Sequence, residues 1–462
     1  MKVISAKDLE LDEPQFKHCT GTRNACKLCT PLGACLAFRG VEGAIPFLHG
    51  SQGCSTYIRR YLISHFREPI DIASSNFSED SAVFGGASNF KAGVANVVRQ
   101  YKPKMVAVAT TCLSETIGED MTRLFHDYMK EEWFEGHPHM VKVSTPSYSG
   151  THIDGFHAAV RALVATLAVP GDRTRRVNLF SGMVSAADLR YLKEVLEDHK
   201  VPYTLLPDYS ESMDGETWSE YEKLQSGGTP IADIMASGCA QTSIEFGRTL
   251  SEYPSAGKFL SERFNVPNRQ LGLPIGIRET DAFFEALAEV SGEPTPVKHT
   301  RERGRLVDSL IDGHKYVFEK RAIVYGEEDL VVGIASFLSE IGVVPVLCAS
   351  GGKSGRLKRS LHDAIPTLDD RTHIHDGIDF AQIGEMADTL RADFIIGSSK
   401  GYQLSRKLDV PLIRIGFPIH DRIGGHRVLH LGYRGAQSLY DTIVNALMDV
   451  KQTNSPIGYS YL

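Results

Sequence analysis

Met105-Val106-Ala107-Val108-Ala109 is a short apolar run. Polar Thr110-Thr111 follows it directly, and helix-like spacing begins after Ser114. A buried strand feeding an amphipathic segment constrains the fold more than any other feature, because repeated copies of that unit make parallel sheets with helical crossovers. The unit recurs. Val141–Val143, Val177–Phe180, Tyr203–Leu206, Arg321–Tyr325, Val344–Ala349 and Asp393–Gly397 read as strands. Ile153–Val169, stopped by Pro170-Gly171, reads as a helix, as do Ser185–His199, Ala256–Phe264 and Thr280–Ser291. So do the charged stretch Thr300–Lys320, Glu328–Ile341 and the closing segment Ser438–Val450. A chain of 462 residues is too long for one core, and ~150 residues per domain implies about three. The expectation is an α/β protein of three Rossmann-like, doubly wound parallel-sheet domains. Their spans are 1–172, which carries most of the cysteines, 173–299 and 300–462.

The formal net charge is -7 and the pI about 6.2. Mild acidity argues against nucleic acid as the partner, since phosphate binding wants a basic stripe. No uninterrupted apolar run reaches the ~18–20 residues of a membrane helix. The first residues, Met1–Pro14, are polar and acidic and lack the basic start and apolar stretch of a secretory signal. A cytoplasmic protein without membrane association is expected.

Five of the 8 cysteines, Cys19, Cys26, Cys29, Cys35 and Cys54, lie near the N-terminus, while Cys112, Cys239 and Cys348 are scattered. In a cytosolic chain of this size such a cluster reads as metal chemistry rather than a disulfide framework. Any single cysteine is also read as a buried thiol behaving as a small hydrophobe. The densest signal is His49-Gly50-Ser51-Gln52-Gly53-Cys54. Glycine lets backbone approach a bulky group, and a cluster of inorganic sulfides needs that room together with thiolates and N–H donors. An ordinary tight turn is the other reading. Cys26-Lys27-Leu28-Cys29 is ambiguous between half a zinc site and a redox pair. Cys112 follows the strand Met105–Ala109, and ligands of doubly wound domains bind at strand C-terminal ends. The loop Ser350–Gly355 lacks the first glycine of a P-loop, so no nucleotide site is assigned. Arg59-Arg60 reads as cluster-charge compensation or as a solvated face. No catalytic triad or acid–base carboxylate pair emerges.

Several segments together resemble the nitrogenase component 1 superfamily across nearly the whole chain. They are Cys29–Ala34, the loop ending at Cys54, Thr110–Glu115 around Cys112, Phe84-Gly85-Gly86, Thr145–Tyr148, Gly416-Phe417-Pro418 and Gly432–Gly435. The resemblance implies a beta-like chain of three Rossmann-like domains paired with an alpha-like subunit in a heterotetramer. It implies that Cys29, Cys54 and Cys112 ligate an interfacial iron–sulfur cluster, with Gly53 and Ser147 beside it. The substrate-reducing cofactor would belong to the partner.

Within the family, four segments look more like the branch that serves as the N subunit of a cofactor-assembly scaffold: Asn24–Cys29, Tyr57–Tyr61, Asp421–Gly425 and Asn454–Tyr459. That reading implies an E-type alpha-like partner holding an iron–molybdenum cofactor precursor, an upstream maturation protein that delivers it, and the nitrogenase iron protein as reductase. Some scaffold chains keep only the cysteine matching Cys54 and share a 4Fe–4S cluster. Here all three positions are filled, as for a larger P-cluster, so the alternative is the beta subunit of a catalytic nitrogenase. A reductase of tetrapyrrole biosynthesis is a further enzyme reading. The residues alone also allow a metal-free α/β binding or sugar-transfer protein with buried thiols.

Overall fold

The computed structural model describes residues 24–130, 138–220, 222–250, 252–369 and 371–457. The first sheet contains β1 (Ala44–His49), β2 (Ala73–Ser74), β3 (Met105–Thr110) and β4 (His139–Val143). All are parallel, in the order β2-β1-β3-β4. Every residue of β1 and β3 is buried, which is why both strands are almost continuously apolar: helices cover both faces of a parallel sheet. These helices are α1 (Thr30–Arg39), α2 (Gln52–Phe66), α3 (Glu79–Phe84), α4 (Ala87–Tyr101), α5 (Cys112–Thr116), α6 (Met121–Met129) and α7 (His152–Leu167).

The second sheet runs β6-β5-β7-β8, from β5 (Val177–Phe180), β6 (Tyr203–Leu205), β7 (Thr242–Phe246) and β8 (Asn268–Leu271). Its helices are α8 (Ala186–Asp198), α9 (Ile231–Ala236), α10 (Ala256–Phe264) and α11 (Gly276–Ser291), and α12 (Val297–Val317) leads onward. The third sheet holds β9 (Arg321–Gly326), β10 (Val344–Ser350), β11 (His373–His375), β12 (Phe394–Gly397) and β13 (Leu412–Arg414), ordered β11-β10-β9-β12-β13. α13 (Glu328–Glu340), α14 (Leu357–Ala364), α15 (Phe380–Leu390), α16 (Tyr402–Leu408) and α17 (Gly432–Thr453) accompany it. The expected α/β class with parallel sheets is therefore the observed one.

Packing crosses the sequence order. The segment before α1 lies on the third sheet: Ala25 bridges Asp379, and Lys400 Nζ donates to the Ala25 carbonyl at 2.6 Å. At the other end α17 returns to the middle of the chain, where Arg434 binds Glu194 at 2.9 Å and Glu302 at 2.7 Å. Cuts near residues 172 and 300 stand as a proposal for where the chain passes from sheet to sheet. Some elements start earlier than their patterns suggest: α12 begins at Val297, α11 at Gly276 and α17 at Gly432.

His65, at the end of α2, ties the first sheet to the third. Its Nδ1 accepts the Ile419 N–H at 3.0 Å, and its ring meets Phe417 edge-on at 4.8 Å. Burial, with help from neighbouring His426, pushes its pKa down to about 3. The unfolded chain binds a proton here below about pH 6.5, whereas the folded chain refuses it. The stability this group contributes is therefore complete above pH 6.5 and is lost as the pH falls toward 3. One such histidine lowers stability by about 2 kcal/mol between pH 6.5 and 5. His65→Asn keeps an acceptor near Nδ1 and removes the titration. Urea melts at the two pH values are expected to show a smaller acid loss in that variant, and an unchanged loss would exonerate His65.

Candidate functional site

In the first sheet the strand order reverses between β1 and β3, so the loops leaving their C-terminal ends diverge and open a crevice there. The loop after β1 starts at Gly50, at φ +155, where an added Cβ would sit 1.9 Å from Thr111 Oγ1 of the neighbouring loop. Only glycine lets the two loops touch. Ser51 then caps α2 by accepting the Gly53 N–H, and Cys54 falls in the helix's first turn. After β3, Thr111 caps α5, and Cys112 is that helix's first residue. Cys29 is the N-cap of α1. Three cysteines thus stand at three helix N-termini, where the backbone dipole favours negative charge.

The three thiols converge. Burial pushes the Cys29 thiol up to about 11, and the charges Cys54 and Cys112 would carry push it the same way. Cys54 is raised by burial and then by Cys112. Ser147 closes the corner: its N–H donates to Cys112 Sγ at 3.2 Å, and its Oγ accepts the Thr30 N–H at 3.2 Å. Gly53 is exposed, and a Cβ there would meet only Ser51 Oγ at 3.6 Å, so this side of the crevice is open. Among the described residues no three His, Cys, Asp or Glu side chains close on a single metal ion. The donors are soft, few and mutually repelling as thiolates, which suits a multi-iron cluster completed by another chain better than one zinc.

The other cysteines go elsewhere. Cys26, three residues from Cys29, turns away toward Tyr325 and Lys400 at the third sheet, half-buried, with its thiol pushed up to about 12 by desolvation. Cys35 and Cys348 are buried in the core, Cys239 lies against the Val169 carbonyl, and Cys19 lies outside the described residues. Arg59 does not face the thiols, since it donates to the Ile70 carbonyl at 2.8 Å.

Sequence reasoning missed the support beneath the crevice. His49 is fully buried, 3.5 Å from Glu119, and Glu119 also accepts the Gly86 N–H at 2.5 Å. Burial lowers the His49 pKa. His49 was legible only as the residue before the glycine loop. Large apolar side chains also stand exposed around the crevice: Phe84 at 85%, Val83 at 74% and Tyr148 at 69%.

The fold is a three-sheet parallel α/β architecture whose first sheet gathers three cysteines near its strand-order reversal. The match to known proteins is specific: residues 29–448 fit the model of the nitrogenase component 1 type oxidoreductases, and the chain belongs to that family. It is similar to nitrogenase molybdenum-iron protein beta chains. The one from Methanothermobacter thermautotrophicus is 36% identical over 92% of this chain and 94% of its own. That from Clostridium pasteurianum is 33% identical over 92% and 93%. A chain of nitrogenase Cp1 solved at pH 6.5 superposes with a TM-score of 0.92 at 31% identity, covering 96% of this chain and 97% of that one. The protein is a beta-like chain of the nitrogenase component 1 family.

Proposed function

We propose that this chain is the beta subunit of a nitrogenase-type oxidoreductase and holds, through Cys29, Cys54 and Cys112, half of an iron–sulfur cluster shared with an alpha-type subunit. The convergence of three thiols at three helix N-termini, with Ser147 bonded to Cys112 Sγ and to the Thr30 N–H next to Cys29, carries the reading. The exposure of the large apolar side chains Val83, Phe84 and Tyr148 supports a partner surface, because large apolar groups left in water are commonly covered by another chain. The assembly is a heterotetramer with the iron protein as its reductase, and the location is the cytoplasm. When bound, the cluster stores and passes electrons. This chain's own part is to hold it, donate N–H groups to its sulfurs and, through the buried His49–Glu119 pair, keep the loop before Cys54 in place.

The relatives are catalytic beta chains, and this favours the catalytic branch over the cofactor-assembly scaffold. The scaffold reading, with an E-type partner, a cofactor precursor and a maturation protein, rests on Asn24–Cys29, Tyr57–Tyr61, Asp421–Gly425 and Asn454–Tyr459. One experiment separates the two. The complex of this chain with its alpha-type partner is isolated without oxygen and analysed for iron and by EPR, then assayed for acetylene and dinitrogen reduction with the iron protein. Turnover with a coupled cluster larger than four irons is the expected result. A 4Fe–4S signal without turnover establishes the scaffold reading, and a colourless, iron-free complex defeats both.

A further inference from the structure

We infer that the cleft where the three sheets meet is a binding site for a small, neutral, polyhydroxylated molecule of one or two sugar rings. The cavity is about 310 Å³, within the usual range for small-molecule sites. Three kinds of loop end line it: the Tyr148–Asp154 stretch entering α7, Thr249, Leu250 and Tyr253 after β7, and the turns after β9 and β10. These are strand C-terminal ends, where doubly wound sheets take ligands.

The lining selects the ligand class. His157 forms the inner wall, 9% exposed. It makes no hydrogen bond among the described residues and its ring packs against Phe156 and Tyr253, so its donor and acceptor nitrogens are not spent on other protein groups. Asp329 is held by the Thr249 N–H and hydroxyl at 2.9 and 2.7 Å. Glu328 is held by Ser354. Asp154 uses Oδ2 on Thr151 and leaves Oδ1 open. Glu327 uses Oε1 on His152 at 3.0 Å, and its Oε2 lies on the Gly416 side. These four carboxylates are set against Lys27, Lys353 and Arg356 in the same lining, so neither an anion nor a cation finds a wall of one opposite sign. A metal ion finds no set of three converging ligands among the described residues. Hydroxyl groups, each both donor and acceptor, match what remains: the open Asp154 oxygen, the His157 ring, and the Lys353 ammonium at the mouth. Tyr253, whose ring lies 6.4 Å from His157, adds an aromatic wall. The site shares Tyr148 with the rim of the thiol crevice but takes its ligand without the three thiols.

The test is titration calorimetry with saturation-transfer NMR on the complex of the full-length chain with its alpha-type partner. The probes are glucose, maltose and myo-inositol, with inorganic phosphate and putrescine as contrasts. Saturable binding of at least one neutral probe is expected. His157→Phe keeps the ring volume and should weaken it by about tenfold or more, because a site built for hydroxyls loses a buried partner. Lys353→Met, at an exposed rim position, should weaken it by a smaller factor and serves if His157→Phe does not fold. Absence of saturable neutral binding overturns the proposal, as does binding that neither variant changes. Phosphate or putrescine binding more tightly than every neutral probe overturns the ligand class.

Discussion

Cys54→Ala empties the thiol crevice of iron. Cys54 lies in the first turn of α2, and its thiol is raised in pKa by burial and by Cys112. A metal must displace that proton and is repaid by the thiolate bond and the helix dipole. No described side chain stands ready to replace it, since no other donor set closes there. Loss of groups that merely orient a ligand costs 10–100-fold in metal affinity, so loss of the ligand itself should lower iron per complex by at least about tenfold. The fold should survive, because Cys54 is only partly buried and such substitutions cost on the order of 1 kcal/mol. Cys348→Ala and Cys239→Ala act as controls: the first is in the core and the second rests against Val169. Iron is measured by mass spectrometry on anaerobic complexes of matched circular dichroism. Undiminished iron in Cys54→Ala, or depletion in either control, would mean that the wrong cysteines have been assigned.

How much of this was legible depended on the local physics of each element. β3 was readable because a parallel strand buried on both faces must be continuously apolar. β7 was not, since Thr242-Ser243-Ile244-Glu245-Phe246 carries a buried carboxylate. Glu245 is satisfied by the Ser255 hydroxyl at 2.6 Å and the Asn268 amide at 3.1 Å, both distant in sequence. α1 was invisible for another reason. All ten of its residues are buried, so it has no polar face and no amphipathic period. The glycine loop before Cys54 and the strand before Cys112 pointed to the site locally. Their meeting at a strand-order reversal, the Ser147 stitch and the His49–Glu119 pair exist only in three dimensions. The separation of Cys26 from Cys29 was also hidden, because Cys-x-x-Cys spacing cannot say that its two ends face different sheets.

Gly33→Ala should prevent the first sheet from holding its site at all. α1 and α7 touch through backbone. A Cβ on Gly33 would lie 1.6 Å from the His152 carbonyl oxygen and 2.8 Å from the Phe156 nitrogen, while one on Gly155 would lie 1.9 Å from the Thr30 oxygen. No side chain can swing aside to relieve either clash, so the helices must separate. Ordinary overpacking costs ~1–3 kcal/mol. Parting two buried helices belongs in the exceptional range above about 4 kcal/mol, a large share of a total stability of roughly 5–15 kcal/mol. The same movement reaches the thiols. Cys29 caps α1, the Leu28 N–H donates to His152 Nδ1 at 3.3 Å, and the His152 N–H donates to the Leu28 oxygen at 3.0 Å. Gly155→Ala should behave alike. Gly304, in mid-α12 with nothing within 4 Å of an added Cβ, is the contrast. Alanine there should raise stability by up to ~1 kcal/mol, from helix propensity alone. Urea unfolding of the three variants tests the argument. A Gly33→Ala protein within about 1 kcal/mol of wild type would show that α1 and α7 do not approach this closely, and that the Cys29 corner is not held by their contact.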